Sequence, residues 1–168
     1  MVGFHCFPAA ALTEFLSLPS DELQMLPPEI LEVAVSADVP NVLEKQWPEL
    51  GSSGTKRNAI LNVAASSNPE AFLAVMARHP AGMSADAKGG VCWALEHSAA
   101  YGSPDAVVRA LEAVRPESLR SEFAAAAALG MGAVSRAAAV RALEFVMNDE
   151  KRQKILADLE LEISKGGN

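Results

Sequence analysis

The sequence predicts an all-α protein: about four stacked helical hairpins followed by a polar closing helix. Three observations carry that expectation. The phrase Val-Arg-Ala-Leu-Glu occurs twice, at Val108–Glu112 and Val140–Glu144, 32 residues apart, and in each copy the valine and the leucine (Leu111, Leu143) are expected to face inward with the arginine and glutamate solvated. Three stretches opening at Ala34, Ala64 and Ala99 share small residues, a polar turn with proline and then apolar residues, at offsets of 30 and 35. Periods in the low thirties belong to two-helix repeats, each unit burying its apolar face on the next. Half of the residues are apolar but only 5% are aromatic, so alanine supplies much of the core. Small side chains suit closely packed helices, whereas strands favour β-branched and aromatic ones.

The elements follow in order. A short helix spans Thr13–Leu18, with a possible start at Ala9. Leu26-Pro27-Pro28 punctuates the chain, and Glu29–Ser36 with Val39–Gln46 forms a first pair. Asn58–Ala65 and Pro69–Arg78 form a second, Val91–Tyr101 and Pro104–Val114 a third, Glu117–Leu129 and Ser135–Met147 a fourth. Asn68-Pro69-Glu70 and Ser103-Pro104-Asp105 each place a capping residue, a first-turn proline and an acid in sequence, which is a helix start. Asp149–Ser164 closes the chain, with Ile155, Leu156, Leu159 and Ile163 on one face and charges over most of the rest. The linkers Pro48–Lys56 and His79–Gly90 are rich in turn-forming residues. The organisation expected is an N-terminal segment over residues 1–27 and a helical repeat domain over 28–168, with the closing helix at 149–164.

The chain has 168 residues, enough for one domain with a core, and a formal net charge of −7. That charge repels phosphate backbones and anionic lipid surfaces, so no nucleic acid is expected as a partner. The longest apolar run, Phe123–Val134, is too short to span a bilayer. Cys6 and Cys92 are no disulfide framework, so a reducing, cytoplasmic setting is expected.

The third pair resembles an ankyrin repeat at Leu95, Ala99, Gly102, Asp105, Val107 and Leu111. That family ends its first helix in small residues, turns on glycine and opens its second helix with an acid. Trp93-Ala94-Leu95-Glu96 stands where the family has Thr-Pro-Leu-His. Other α-hairpin solenoids produce much the same pattern. The family's hairpin finger fits only in Pro48–Lys56 or His79–Gly90, and the resemblance implies a protein-binding surface on the finger tips and first helices. Separately, Leu18-Pro-Ser-Asp-Glu-Leu23 with Lys45-Gln-Trp47-Pro-Glu-Leu50 resembles the two ends of an F-box. That likeness implies an adaptor, or a secreted effector directed at a host.

Candidate chemistry is sparse. Cys92 and His97 share one helix but point about 140° apart, so one does not readily deprotonate the other. His5 and Cys6 lack the further ligands that zinc needs. Gly51-Ser-Ser-Gly-Thr-Lys56 has only two residues between its glycines and no preceding strand, unlike a phosphate loop. Acids cluster at helix starts, as dipole complements. The expected function is therefore protein–protein binding with no cofactor and no metal. The candidate binding residues are Trp47, Lys56, Arg57, His79, Met83 and Trp93, drawn from linkers and first-helix starts. The alternative is an enzyme whose site assembles from distant residues around Cys6 or Cys92.

Overall fold

The computed structural model describes residues 9–19, 22, 25–46, 54–79, 83–99 and 102–166; at 9, 28, 46, 54–57, 98 and 161–166 only the backbone is described. Among these residues the protein is all-α. Ten helices occur: α1 Ala9–Ser17, α2 Pro28–Ala37, α3 Val39–Gln46, α4 Gly54–Ser67, α5 Pro69–Arg78, α6 Ala85–Ser98, α7 Pro104–Ala113, α8 Glu117–Met131, α9 Arg136–Leu143 and α10 Asp149–Gly166.

Local chemistry sets the helix starts. Asn68 Oδ1 accepts from Ala71 N at 3.0 Å, Ser84 Oγ from Ala87 N at 3.2 Å, Ser135 Oγ from Ala138 N at 3.4 Å and Asn148 Oδ1 from Lys151 N at 2.8 Å. Each satisfies an amide that the first turn leaves without a helical partner. Asp38 does the same for α3, its Oδ1 accepting from Asn41 N at 3.3 Å. Ser103 is an exception: its hydroxyl makes no cap bond. Its own amide donates instead to Glu70 Oε1 of α5 at 3.0 Å.

Neighbours alternate along the chain. Helix α2 packs on α4, α4 on α6 and α6 on α8; α3 packs on α5, α5 on α7 and α7 on α9. Within pairs, α2 touches α3, α4 touches α5 and α8 touches α9. Helix α1 rests on α2 and α3, and α10 rests mainly on α8. One apolar cluster runs from Phe15 to Leu159, with Phe72 and Phe123 as its largest fully buried side chains. The run Phe123–Ala128 is buried along α8, so its alanines let neighbouring helices approach closely.

Polar bonds recur at nearly the same spacing as the sequence period. Glu44 of α3 bonds Arg78 and His79 at the end of α5, across 34 and 35 residues. Asp105 of α7 pairs with Arg141 of α9 across 36, and Lys88 of α6 with Glu122 of α8 across 34.

Several boundaries differ from expectation. Helix α6 begins at Ala85, six residues before Val91, so the His79–Gly90 linker is cut back to its first half. The Ser84 cap starts the helix, and Gly89-Gly90 continues it. Gly90 is a point of close approach: a Cβ there would lie 2.8 Å from Asn58 Oδ1 and 3.2 Å from Leu61 Cδ1 on α4. The glycine pair has the composition of a linker but stands in a helix. Helix α4 likewise begins at Gly54, so Thr55 and Lys56 are helical and residues 51–53 lie outside the described part. Helix α6 ends at Ser98 rather than Tyr101. Helix α9 stops at Leu143, four residues before Met147. There the amides of Glu144, Phe145 and Val146 donate to carbonyls three residues back, tightening the end. Ser121 Oγ on α8 then accepts from Met147 N at 3.0 Å and holds the turn.

The repeated phrase is also treated unevenly. Leu111 and Leu143 are both buried, as expected. Val108 is buried at 6% exposure, but Val140 is 38% exposed, against the expectation that both valines face inward. Leu43 and Leu73, likewise fifth in α3 and α5, are fully buried.

Candidate functional site

Helix α6 buries Ala87, Val91, Ala94 and Leu95 and turns its other side to solvent. That exposed side carries Asp86, Gly89, Trp93, Glu96 and His97. At about 100° per residue all five fall within about 60° of the Trp93 direction. Trp93 is 48% exposed, so a large apolar ring lies open on a helix face. It is held by His97 one turn on, with ring centroids 4.3 Å apart and planes 27° from parallel. His97 Nδ1 lies 2.8 Å from the Trp93 carbonyl oxygen. A carbonyl only accepts, so Nδ1 carries the proton, and in the neutral ring Nε2 is an acceptor. The stack and the hydrogen bond together fix the indole, lowering the entropy it would lose on contact.

Gly89 stands beside this plate, one turn earlier. A Cβ at Gly89 would meet nothing within 4 Å. Mid-helix glycine costs about 1 kcal/mol relative to alanine, and no packing offsets that cost here. The helix surface at Gly89 is therefore left bare, one turn before Trp93. The Asn58 carboxamide of α4 lies over Gly90, next to it.

The other candidates lie elsewhere. Met83 lines a cleft of about 180 Å³ with Lys88, Pro116, Ser118, Leu119 and Glu122, where α6 and α8 begin. The Lys88–Glu122 pair, at 3.0 Å, spans that cleft. His79 is half-buried at the end of α5, with Nε2 2.5 Å from Glu44 Oε2. Its bond thus joins α5 to α3. Partial burial pushes the Glu44 carboxyl up, but hydrogen bonds from His79 and Arg78, and their charges, hold it below its ordinary value. Lys56 and Arg57 stand in the first turn of α4 with only their backbone described, and Trp47 lies outside the described residues. The described candidates are thus not gathered into one site. Asp86, Gly89 and His97 are additions to the sequence-derived set. The spacing of four from Gly89 to Trp93 and from Trp93 to His97, and of seven from Asp86 to Trp93, is the signal that finds them.

The thiol chemistry is unfavourable. Burial pushes the Cys92 thiol up to about 11, and the Glu122 carboxylate adds to that, against Lys151 and Lys88. At neutral pH the group is a thiol, and the thiolate is the nucleophile. Cys6 lies outside the described residues, as do Asp21, Leu23 and Trp47–Leu50 of the F-box-like ends. Among the described residues no group of three His, Cys, Asp or Glu side chains could hold a metal, and no helix is long and apolar enough to cross a membrane.

Comparison with known proteins returns no family model, no curated protein and no solved structure that matches the chain.

Proposed function

We propose that this protein is a stack of helical hairpins that binds another protein and carries no chemistry of its own. The observation that carries the binding role is Trp93: an exposed indole, braced by His97 on the open face of a first helix. Aromatic side chains of this kind are the usual anchors of protein interfaces, because they contribute large contact area at low entropic cost. The high Cys92 value favours binding over thiol catalysis.

Three facts support the stack. Helices two apart in sequence are packing neighbours along most of the chain. Polar bonds link equivalent helices at separations of 33 to 36 residues. Leu111 and Leu143, 32 residues apart, are buried alike. The stack belongs with α-hairpin solenoids in general. An ankyrin-like finger has no room between α7 and α8, where only Val114–Pro116 connect the helices.

The test is site-specific cross-linking in the full chain. Benzoylphenylalanine in place of Trp93 should give a discrete adduct with one protein on irradiation in native lysate. Excess wild-type protein should suppress the adduct, and excess W93A should not. Equal suppression by both, with W93A folded, would contradict the role of this face.

A further inference from the structure

We propose that the Trp93 face of α6 takes an arginine side chain presented by the partner protein, stacked on the indole and lying over the bare helix surface at Gly89. The inference rests on the protein-binding function above and adds the chemistry of the partner. Its basis is the match between what the face displays and what a guanidinium needs.

His97 covers one face of the indole, so the cation would take the opposite face, and cations prefer tryptophan among the aromatic faces. Asp86 lies along the same face two turns before Trp93 and Glu96 one turn after; both are exposed. Neither makes an ion pair among the described residues. The one lysine of α6, Lys88, is engaged by Glu122 towards α8. The chain as a whole carries 21 acids against 14 basic residues, which adds a long-range pull on a cationic partner. His97 Nε2 is a further acceptor beside the plate.

The shape selects arginine over lysine. A guanidinium is flat, stacks on an aromatic face and spreads five donors in its plane, whereas an ammonium is compact and strongly hydrated. A methyl at 89 meets no neighbouring side chain within 4 Å, so alanine there would crowd the ligand without a clash in the fold.

The test follows the Trp93 indole N–H signal by NMR, assigned through its loss in W93F. The probes are acetylated, amidated glycyl-arginyl-glycine and the same peptide with citrulline, which keeps the shape and removes the charge. The arginine peptide should move the Trp93 signal saturably, with the His97 and Glu96 amides following. The citrulline peptide should bind about tenfold more weakly, the scale of a partly desolvated cation–π contact with ion-pair support. D86N, E96Q and G89A should each weaken the arginine response while leaving the rest of the spectrum in place.

Equal response to citrulline, or unchanged binding in both D86N and E96Q, overturns the proposal. No response in the wild-type protein overturns it too. A cross-link at position 93 to a partner segment without arginine would remove this inference and leave the binding function standing. Absence of any cross-link at 93 would remove the binding function itself.

Discussion

Helices α7 and α9 carry the same five residues, Val108–Glu112 and Val140–Glu144, yet the first valine is buried in one and open in the other. Leucine occupies the equivalent place in both and is buried in both. The difference isolates the contribution of neighbours. Helix α9 has α7 before it, as α7 has α5, so a preceding helix does not cover this valine. Among the described residues α7 has α9 packed on it from further along the chain, whereas the helix after α9, α10, lies mainly on α8. Leu43 and Leu73 fit the rule, since α3 and α5 are each followed by another member and both leucines are buried. Local sequence thus sets which side of a helix is apolar, and position in the series decides whether that side is used. Array ends ordinarily need a polar outer face. Here α10 covers α8 and leaves Val140 and Met147 exposed.

The largest effects test the shared part of the phrase. Aspartate at Leu111 or Leu143 should destabilise by about 3–5 kcal/mol each, through lost packing and a buried charge. A denaturant midpoint unchanged by either substitution breaks the equivalence of the two copies. Next comes Gly130, where α8 meets α6. A Cβ there would press on the backbone carbonyl oxygens of Leu95 and Glu96, the latter at 2.7 Å. G130A should cost about 1–3 kcal/mol, because backbone must move.

The valines sharpen the comparison. V108A should lose about 1–2 kcal/mol and V140A less than about 0.5, in parallel thermal or urea unfolding. Equal losses would mean that Val140 is covered in solution. G89A tests the same rule with the opposite sign. With nothing to clash against, it should stabilise by about 0.5–1 kcal/mol, in contrast to G130A.

The smallest effect is electrostatic. Folding holds the Glu44 carboxyl below its ordinary value of 4.5. The folded state therefore binds its proton less readily than the unfolded chain. The resulting stability is present above that ordinary value and is lost as pH falls through the lower folded one. E44Q should be slightly less stable than wild type at neutral pH, and the gap should close in acid. A gap that persists at low pH would assign the effect to packing.

Much of the fold was legible because capping chemistry is local. Helices α3 and α5 match their expected spans, and α2, α7 and α8 end within two residues of theirs. The errors share a cause. Gly89-Gly90 has linker composition, but Gly90 is demanded by Asn58 and Leu61 of another helix, which no local pattern displays. Val140 differs for the same reason, since whether another helix covers it is a tertiary fact. The site was legible in part. Trp93 stood out as an aromatic near a helix start, but its partner His97 was considered only against Cys92. His79 lay near a linker with surface chemistry, yet its ring is engaged by Glu44 across 35 residues.

Two apolar surfaces now compete as the partner-facing one: the braced Trp93 on α6 and the uncovered Val140 edge of α9. The decisive measurement places benzoylphenylalanine at position 93 or at position 140 of the full chain and compares the cross-linked products from the same lysate. The account predicts a discrete protein adduct from position 93, suppressed by excess wild-type protein, and none from position 140. An adduct from position 140 alone would contradict it and move the binding face to α9.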